Sequence, residues 1–500
     1  MSDRGDLRRL SRRLFLSGTV ASIAVVIAAC GSSTAPSATS APSAAPSATA
    51  PAAAAAPTAA PAASPTTSSA SSTAASPTAA ATTAPAQQQS QSGSAVSLTW
   101  GGWGDTAQIS IFNDIIAAYQ KAQPSVTIKT QFAPWDEYWQ KLQTQIASNT
   151  QPDLFEMSVA YIGNFVQKKV VLELDPFVKE NNLDLGKYWK VDVSTWQFAP
   201  GAKVGGQGPL YAMSYDASIN STFFYNKTLF DKAKIPYPTA SWTWEKDVLD
   251  AAKAMTDSAS GQWGMIAPFT ADGTWTSLVW EWGGDTIDSS YSKGTLEQPE
   301  ALAALGVVYD FIYKHKVSPP PDLSAKVSPF TTGKYAMYFS NCDCEISTFK
   351  KITNFEWDVA DWPKGPKGRF VEMEPDGHAI MQATKQPEQT FDLLKFTVYD
   401  DNGGPWKQAT YGTLPAIQQI AQSDTYLKTT GFPAHKNLQL ADIAEGARSN
   451  YFGQGWAEWE DKSDKALQQA WLGKKSIADA AKDADAAIDS VLQHLGGSLY

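Results

Sequence analysis

Residues 98–105, which read LTWGGWGD, give the first indication of the fold. The start of this stretch predicts a β-strand, and its glycines predict a loop that carries Trp103 and Asp105. Apolar residues then recur at helical spacing until Pro124 ends the run. A strand, a loop and a helix in this order predict the first half of a βαβ unit.

The same alternation continues along the chain. Residues 126–132 alternate as a strand, apolar residues from Trp139 to Ile146 repeat at helical spacing, and residues 154–157 form a short apolar strand. Strands that alternate with helices predict an α/β fold with a mostly parallel sheet. Ligands of such sheets bind beyond the carboxyl ends of the strands.

Later segments continue the mixed pattern. Residues 208–212 and 223–225 predict strands, and Thr243 predicts the N-cap of a helix. The prolines of residues 318–321 predict an extended loop, and residues 477–495 predict an amphipathic closing helix.

Residues 96–500 are too many for one ordinary core and predict two domains. The net charge of −10 argues against nucleic acid or an anionic membrane surface as the partner. The four histidines are scattered, and the cysteines have no zinc spacing, so we expect no metal. Cys342 and Cys344 are either a small C-x-C disulfide, which an oxidising compartment would permit, or two small loop residues, which is the reading we favour.

The first thirty residues read as an export signal. An Arg-rich start is followed by an uncharged run that is too short for a membrane-spanning helix and ends at Cys30. Residues 11–16 resemble a twin-arginine signal, and residues 27–30 resemble a lipobox, which implies that Cys30 is lipidated after removal of residues 1–29. Residues 31–95 are almost entirely Ala, Ser, Thr, Pro and Gln and predict a disordered linker. We therefore expect a lipoprotein at the outer face of the cytoplasmic membrane.

Residues 96–424 carry a series of motifs whose order and spacing resemble one family, the extracellular solute-binding proteins of ABC importers, in the group that binds sugars and oligosaccharides. The motifs are LTWGGWGD (98–105), PWDEYWQKLQ (134–143), QPDLFEM (151–157), GPLYAMSYD (208–216), FFYNKTLFDKA (223–233), WTWEKDV (242–248), GGD (283–285), FTTGKYAM (330–337), FEWDVADWPKGPKG (355–368), DGHAI (376–380) and GTLPA (412–416). This chain departs from the family at Ser214 and Asp361, where Pro is usual, and near the two late cysteines, where a Ser-Trp pair is common.

The resemblance implies a two-lobe periplasmic-binding-protein fold of type II, with three hinge crossings near residues 214–219, 372–377 and 411–415. Lobe 1 then comprises residues 96–215 and 376–411, and lobe 2 comprises residues 218–372 and 415–500. The implied protein is a non-catalytic monomer without a cofactor. It binds its ligand in the cleft between the lobes, and the permease of an ABC transporter reads the closed form.

The 18 tryptophans, all after residue 95, suit a carbohydrate ligand, because aromatic faces cover the C–H faces of sugar rings while polar groups meet the hydroxyls. The candidate ligand-binding residues follow predicted strands or lie in the family motifs. They are Trp103, Asp105, Trp135, Tyr138, Ser158, Tyr161, Asp216, Trp275, Trp280, Glu281, Trp282, Gly283, Asn341, Asp343, Gly377, His378 and Tyr411. We expect other tryptophans to serve packing or to lie at the surface, namely Trp139, Trp244, Trp357, Trp456, Trp459 and Trp471.

Two alternatives stay open. An anchored glycoside hydrolase needs two carboxylates, which Glu281, Asp285, Asp216 or Asp105 would supply. The same fold would also serve a different polar cargo, such as a peptide or a polyamine.

Overall fold

The computed structural model describes residues 95–270, 274–322, 328–428, 431 and 433–495. The predicted signal, Cys30 and the linker lie outside the described residues. Within the described ranges, no helix combines the length and the apolar character that a membrane crossing requires.

Two separate β-sheets organise the described chain. In chain order the strands are β1 (Val96–Trp103), β2 (Val126–Ala133), β3 (Leu154–Ser158), β4 (Met213–Ser214), β5 (Thr222–Asn226), β6 (Trp263–Ile266), β7 (Tyr335–Ser340), β8 (Trp357–Ala360), β9 (Val371–Glu372), β10 (Asp376–Ile380) and β11 (Ala447–Arg448). The first sheet has the order β2-β1-β3-β10-β4, the second has the order β6-β7-β5-β8, and β11 pairs with β9.

Helices cover both sheets. They are α1 (Thr106–Ala122), α2 (Trp135–Ser148), α3 (Val159–Gln167), α4 (Asp175–Glu180), α5 (Lys190–Thr195), α6 (Lys227–Ala233), α7 (Leu249–Met255), α8 (Thr276–Glu281), α9 (Pro299–Tyr313), α10 (Ile346–Phe349), α11 (Pro387–Val398), α12 (Gly404–Gln408), α13 (Gln418–Ala421), α14 (Asp424–Leu427), α15 (Asn437–Gly446), α16 (Trp456–Trp471) and α17 (Ile477–Leu492). The predicted closing helix is confirmed as α17, and residues 318–321 are free of helix and strand, as expected.

Both sheets are mixed, so the expectation of a mostly parallel sheet was wrong. Strands β1, β2 and β3 are parallel, but β10 runs antiparallel to β3 and pairs Asp376 with Ser158. The first residue of β10 lies opposite the last residue of β3, so β10 runs in the opposite direction along β3. In the second sheet β6 and β7 are parallel, whereas β5 is antiparallel to both of its neighbours.

Two strand predictions differ from the structure. Strand β1 continues through Gly101 and Gly102 to Trp103, where we expected a loop. These glycines permit close approach within the sheet, since a Cβ on Gly102 would lie 2.2 Å from a carboxylate oxygen of Glu156. Residues 208–212 form no strand, because Gly208 has a φ of 106° and the following proline has no N–H to donate.

The helix predicted after Thr243 begins with a π-helical turn, Trp244–Val248, and continues as α7. Thr243 does not accept a capping hydrogen bond through its side chain. Instead its backbone N–H and its hydroxyl donate to the Asp247 carboxylate, at 2.9 and 3.0 Å. The carboxylate thus satisfies the start of the helix from inside the first turn.

Three crossing segments of the chain lie side by side. The first leads from β4 of the first sheet to β5 of the second, the second leads from β9, which pairs with β11, to β10, and the third lies between α12 and α13, where Ile417 pairs with Tyr188. Bridges pair Asp216 with Pro415 and Ile219 with Met373, so the first segment is the central one. These hydrogen-bonded crossings are the parts of the chain about which two sheet-centred lobes can move.

Cys342 and Cys344 form a disulfide with their Cα atoms 5.1 Å apart. The reading that we favoured, two unbonded loop residues, was wrong. The six tryptophans expected to serve packing or to lie at the surface are buried, which places all of them in packing: Trp139, Trp244, Trp357, Trp456, Trp459 and Trp471.

Candidate functional site

The carboxyl ends of β1, β2 and β3 meet at one edge of the first sheet, where α1, α2 and α3 begin. Two of the predicted ligand-binding residues cap these helices. The Asp105 carboxylate accepts the backbone N–H of Gln108 at 2.8 Å, and the Ser158 hydroxyl accepts that of Ala160 at 3.3 Å. The side chains of Asp105 and Ser158 therefore stabilise helix N-termini.

Four predicted ligand-binding aromatic residues lie together at this edge, and we call them, with Trp139, the aromatic cluster. Trp103 lies edge-on to Trp135, with ring centroids 4.7 Å apart, and Trp139 lies 4.3 Å from Tyr161. Tyr138 lies 5.4 Å from Trp103. All five side chains are buried in this conformation.

Glu156 forms hydrogen bonds that hold the aromatic cluster in place. Its carboxylate accepts the Trp103 backbone N–H at 2.5 Å and the Tyr215 hydroxyl at 2.8 Å, while its backbone carbonyl accepts the Tyr138 hydroxyl at 2.7 Å. The Nε1–H of Trp103 is buried and has no acceptor among the described residues. A buried N–H without a partner costs about 1–3 kcal/mol unless a ligand or water accepts it.

The second predicted cluster lies on α8 and the turn that follows it, beside the second sheet. Trp275 is buried, and its Nε1–H donates to Asp464 at 3.4 Å. Glu281 is also buried and accepts the Nε1–H of Trp244 at 2.7 Å and the backbone N–H of Phe370 at 3.2 Å. Burial raises the pKa of Glu281 well above its usual value, and these bonds oppose that rise. Trp275 and Glu281 thus face the core.

Asp285, at the end of the Gly-Gly-Asp motif, is the centre of a polar cluster that sequence reasoning missed. Its carboxylate accepts the Trp280 Nε1–H at 3.1 Å and the Tyr451 hydroxyl at 2.9 Å, and it forms an ion pair with Arg448. The Arg448 guanidinium lies 4.4 Å above the Trp280 ring. The side chains of Arg448 and Asp285 keep 32% and 25% of their surface exposed, so the cluster presents fixed donors and acceptors to solvent.

Arg448 and Tyr451 were not predicted as ligand-binding residues, because the family resemblance fades after residue 424. The available signal was local: residues 448–451 read RSNY, a guanidinium, a hydroxyl, an amide and a phenol in succession. Trp282 lies next to the polar cluster in sequence and is half-buried, and Gly283 is exposed.

The segment that follows Arg448 contacts elements beside both sheets. The Ser449 hydroxyl lies 3.1 Å from that of Thr195, and the backbone N–H of Gln454 donates to the Lys203 carbonyl at 2.8 Å. The Gln454 carbonyl accepts the Tyr291 hydroxyl at 3.1 Å. The polar cluster therefore lies close to a place where the two halves of the molecule meet.

The remaining predicted residues lie at the crossings or in the first sheet. Asp216 is buried and accepts the Asp376 backbone N–H at 3.1 Å, and its pKa is raised by burial and by the charges of Asp376 and Asp343. Asn341 is half-buried and Tyr411 is buried.

Gly377 and His378 lie inside β10. His378 has no exposed surface, lies 4.9 Å from the Trp100 ring, and shares a hydrogen bond of 2.8 Å between Nδ1 and the Thr397 hydroxyl. Burial lowers its pKa to about 3. A Cβ on Gly377 would lie 2.7 Å from the Met213 carbonyl oxygen, so the glycine permits close strand packing.

Two mixed α/β lobes joined by three crossing segments define a two-lobe binding protein. A model of the bacterial extracellular solute-binding protein family matches residues 103–402, and the chain belongs to this family.

Individual proteins are similar over most of the chain. A protein of Brucella abortus (strain 2308) is 26% identical over 386 residues, which cover 76% of this chain and 90% of that protein. An ABC substrate-binding protein from Listeria monocytogenes, solved with cycloalternan, has a TM-score of 0.69 and 23% identity and covers 80% of this chain and 99% of its own. The cyclic α-maltosyl-1,6-maltose binding protein of Arthrobacter globiformis has a TM-score of 0.66 and 19% identity, with 80% and 99% covered. At these identities the two structures show the shared fold.

Proposed function

We propose that this protein is a non-catalytic carbohydrate receptor, which captures a mono- or oligosaccharide between its lobes and delivers it to the permease of an ABC importer. The lobes are proposed to comprise residues 96–215 with 376–411, and residues 218–372 with 415–500. No cofactor takes part in this function, because binding and closure require none. Closure occurs because the ligand contacts both lobes only in the closed form.

The observation that carries the proposal is the polar cluster around Asp285. The Arg448 guanidinium, the Asp285 carboxylate and the Tyr451 phenol are held in fixed positions beside Trp280, and each of these side chains is partly exposed. Sugars offer adjacent hydroxyls that both donate and accept, so a paired guanidinium and carboxylate match them while the pair itself stays neutral overall. Trp282, next in the chain to the α8 helix, offers an apolar face.

Lobe 1 supplies the opposite wall in this proposal. The aromatic cluster lies at the carboxyl edge of its sheet, the usual position for ligands in α/β folds. The unsatisfied Nε1–H of Trp103 would find an acceptor in a sugar hydroxyl once the lobes rearrange. The proposed contacts are Trp103, Trp135, Tyr161, Trp282, Gly283, Asn341 and Tyr411, joined by Asp285, Arg448 and Tyr451. The others act through helix capping, core packing or the crossings.

A hydrolytic role finds less support. Each carboxylate that would serve it has another contact. Glu281 is buried against Trp244, Asp216 binds the chain at a crossing, and Asp105 caps a helix. Asp285 is ion-paired with Arg448. Glycoside hydrolysis needs two carboxyl groups free to face one glycosidic bond.

The proposed location is the outer face of the cytoplasmic membrane, with the lipid on Cys30 as anchor and residues 31–95 as the proposed linker to a monomeric receptor. Mass spectrometry of the mature protein would test this: a diacylated or triacylated N-terminal Cys30 is expected, and an unmodified Cys30 would contradict it.

Thermal unfolding in the presence of single ligands tests the cargo. The panel should contain maltose, maltotriose, mannotriose and cyclic α-glucans, with spermidine and short peptides as the competing classes. A ligand present at 100 times its Kd stabilises the folded state by about 2.7 kcal/mol and raises the Tm measurably. A rise with a sugar supports the receptor; a rise with spermidine or peptide alone indicates another cargo, and chromatographic detection of a cleaved oligosaccharide indicates an enzyme.

A further inference from the structure

Asp343 lies between the two disulfide-bonded cysteines, in the short turn that follows β7, and has no exposed surface. Its backbone N–H donates to the Ile219 carbonyl at 3.1 Å. Its Oδ1 accepts the Ser218 hydroxyl at 2.8 Å, and its Oδ2 accepts the Leu414 backbone N–H at 2.9 Å. A residue that the sequence predicted to contact ligand therefore uses both carboxylate oxygens on the chain itself.

The partners of Asp343 belong to two different crossings. Ser218 and Ile219 lie in the first crossing and Leu414 lies in the third. The two crossings also bond directly, through Ala217 N–H to the Leu414 carbonyl at 2.8 Å, and the second crossing bonds to the first through Glu374 N–H to the Ser218 carbonyl at 2.9 Å. One residue, in the turn after β7, thus bonds to both the first and the third crossing.

The disulfide restricts the backbone that carries Asp343. It joins the residues on either side of Asp343, and the Cys344 N–H points at the Cys342 sulfur at 3.1 Å. The Ser340 hydroxyl lies 3.2 Å from the Cys342 N–H and anchors this small ring to the end of β7. A residue in so short a covalent ring has few backbone conformations, so its carboxylate stays aimed at the crossings.

We propose that Asp343, held by the Cys342–Cys344 disulfide, is a positioning residue that fixes the register of the hinge crossings against the lobe 2 sheet and so sets the ease with which the lobes open and close. The role rests on ligand capture between the lobes, but not on the chemical nature of the ligand. Lobe motion about hinges requires a few segments that absorb the change in backbone angles. Contacts to those segments control their local opening.

The charges around Asp343 agree with this role. Burial raises its pKa to about 6, and the bonds from Leu414, Ser218 and Ile219 together with the charge of Lys436 oppose that rise. Near neutral pH the group is a carboxylate, which can accept both hydrogen bonds at once.

Hydrogen–deuterium exchange of the full-length protein without ligand tests the proposal. Because no ligand is present, failure of this proposal is distinguishable from failure of the carbohydrate hypothesis. Asp343→Ala should raise exchange in peptides that cover residues 213–221 and 410–417 by about tenfold, since hydrogen bonds to a charged group are lost there. Exchange in β5 should stay unchanged. If Asp343→Ala does not fold, Asp343→Asn keeps the volume but lacks the second acceptor, and it is expected to raise exchange in the same peptides.

Asp358→Asn is the matched control. Asp358 is a buried carboxylate of the second sheet whose Oδ1 accepts the backbone N–H groups of Ala434 and His435, at 2.9 and 3.2 Å, away from the crossings. Its replacement should raise exchange near residues 433–437 and leave the crossings protected. Unchanged exchange at the crossings in the Asp343 variants, or an equal rise in β5, would overturn the proposal and leave Asp343 as an ordinary core residue.

The contribution of the disulfide is tested separately. The double variant Cys342→Ser/Cys344→Ser should raise exchange at the crossings in the same direction, and it should add nothing when combined with Asp343→Ala, because both changes remove the same restraint. Additive effects, or no effect of the double serine variant, would show that Asp343 acts without the disulfide and overturn that part of the proposal.

Discussion

Arg448 covers the face of Trp280, with its guanidinium 4.4 Å from the ring centroid, and it is ion-paired to the Asp285 carboxylate that also accepts the Trp280 Nε1–H. Trp280 is therefore unavailable for stacking on a sugar, and its role is to orient the charged pair. The exposed groups of this cluster are the guanidinium and the carboxylate, which fits recognition of hydroxyls more than of an apolar ligand.

Arg448→Ala is expected to weaken binding of the sugar found in the thermal screen by at least about tenfold, because it removes donors to the ligand and leaves the Asp285 charge without its cation. Isothermal titration calorimetry measures the change. Lys462→Ala is the control, since Lys462 also belongs to an ion pair, with Glu458 at 2.7 Å on the exposed side of α16. Equal affinity of Arg448→Ala and wild type would remove Arg448 from the site.

Two tryptophan variants should separate binding from stability. Trp282 is half-buried, so Trp282→Ala should weaken sugar binding while Tm changes little. Trp103 is 1% exposed within the aromatic cluster, so Trp103→Ala should also cost about 3–5 kcal/mol of unfolding free energy. Calorimetry with and without sugar checks both. The distinction fails if Trp282→Ala unfolds as easily as Trp103→Ala, or binds sugar as well as wild type.

The order of strands and helices was accessible from sequence where periodicity is strong, as in β2, α2 and α17. The prediction was wrong where a glycine permits close packing. The glycines before Trp103 suggested a loop, but they let β1 pass close to Glu156. A glycine does not reveal in sequence whether it permits a turn or a close contact.

The candidate site was accessible in part. Trp103, Trp135, Tyr138 and Tyr161 were predicted to share one edge and do lie together. Sequence did not reveal that His378 faces inward, because every residue of the two-sidedly covered β10 is buried and alternation carries no information there. Arg448 was missed because it meets Asp285 across a separation of 163 residues.

Because His378 is buried in its neutral form, it makes the folding stability of the protein decrease as the pH falls. Its pKa is about 3 in the folded protein against 6.5 ordinarily, so between these values the unfolded chain binds a proton that the folded chain does not. Folding stability then falls as pH falls from 6.5 toward 3, by about 1.4 kcal/mol for each pH unit.

His378→Gln removes the titrating group, so its cost relative to wild type should shrink steadily in urea unfolding experiments between pH 6.5 and pH 4.5. Thr397→Val removes the hydrogen-bond partner but keeps the imidazole, and it should retain the pH dependence of wild type. A cost of His378→Gln that is the same at every pH would show that the imidazole is protonated to the same extent in both states.

Asp192 should act in the opposite sense. Asp192 is buried beside Ser214, and Ser214 stands at the position where the family usually has Pro. The Ser214 hydroxyl donates to the Asp192 carboxylate, and the Trp196 Nε1–H donates to the Ser214 hydroxyl oxygen. The second carboxylate oxygen of Asp192 has no partner among the described residues. Asp192 lies beside a cavity that Tyr188 also lines. Burial raises the pKa of Asp192 to about 8, and the nearby Ser214 hydroxyl and Trp196 N–H oppose that rise.

Since the folded pKa of Asp192 lies above its ordinary value of 3.8, the folded state holds a proton that the unfolded state releases between pH 3.8 and about 8. The stability contribution of this group is complete below pH 3.8 and is lost as pH rises through that window, by about 1.4 kcal/mol per unit. Asp192→Asn is permanently neutral and should therefore gain stability over wild type as pH rises from 5 to 8 in urea unfolding experiments. Ser214→Ala keeps the carboxyl group and should follow the wild-type slope. Parallel curves for Asp192→Asn and wild type would mean that Asp192 ionises in the folded protein as readily as in the unfolded chain, with a water in the cavity replacing the missing partner.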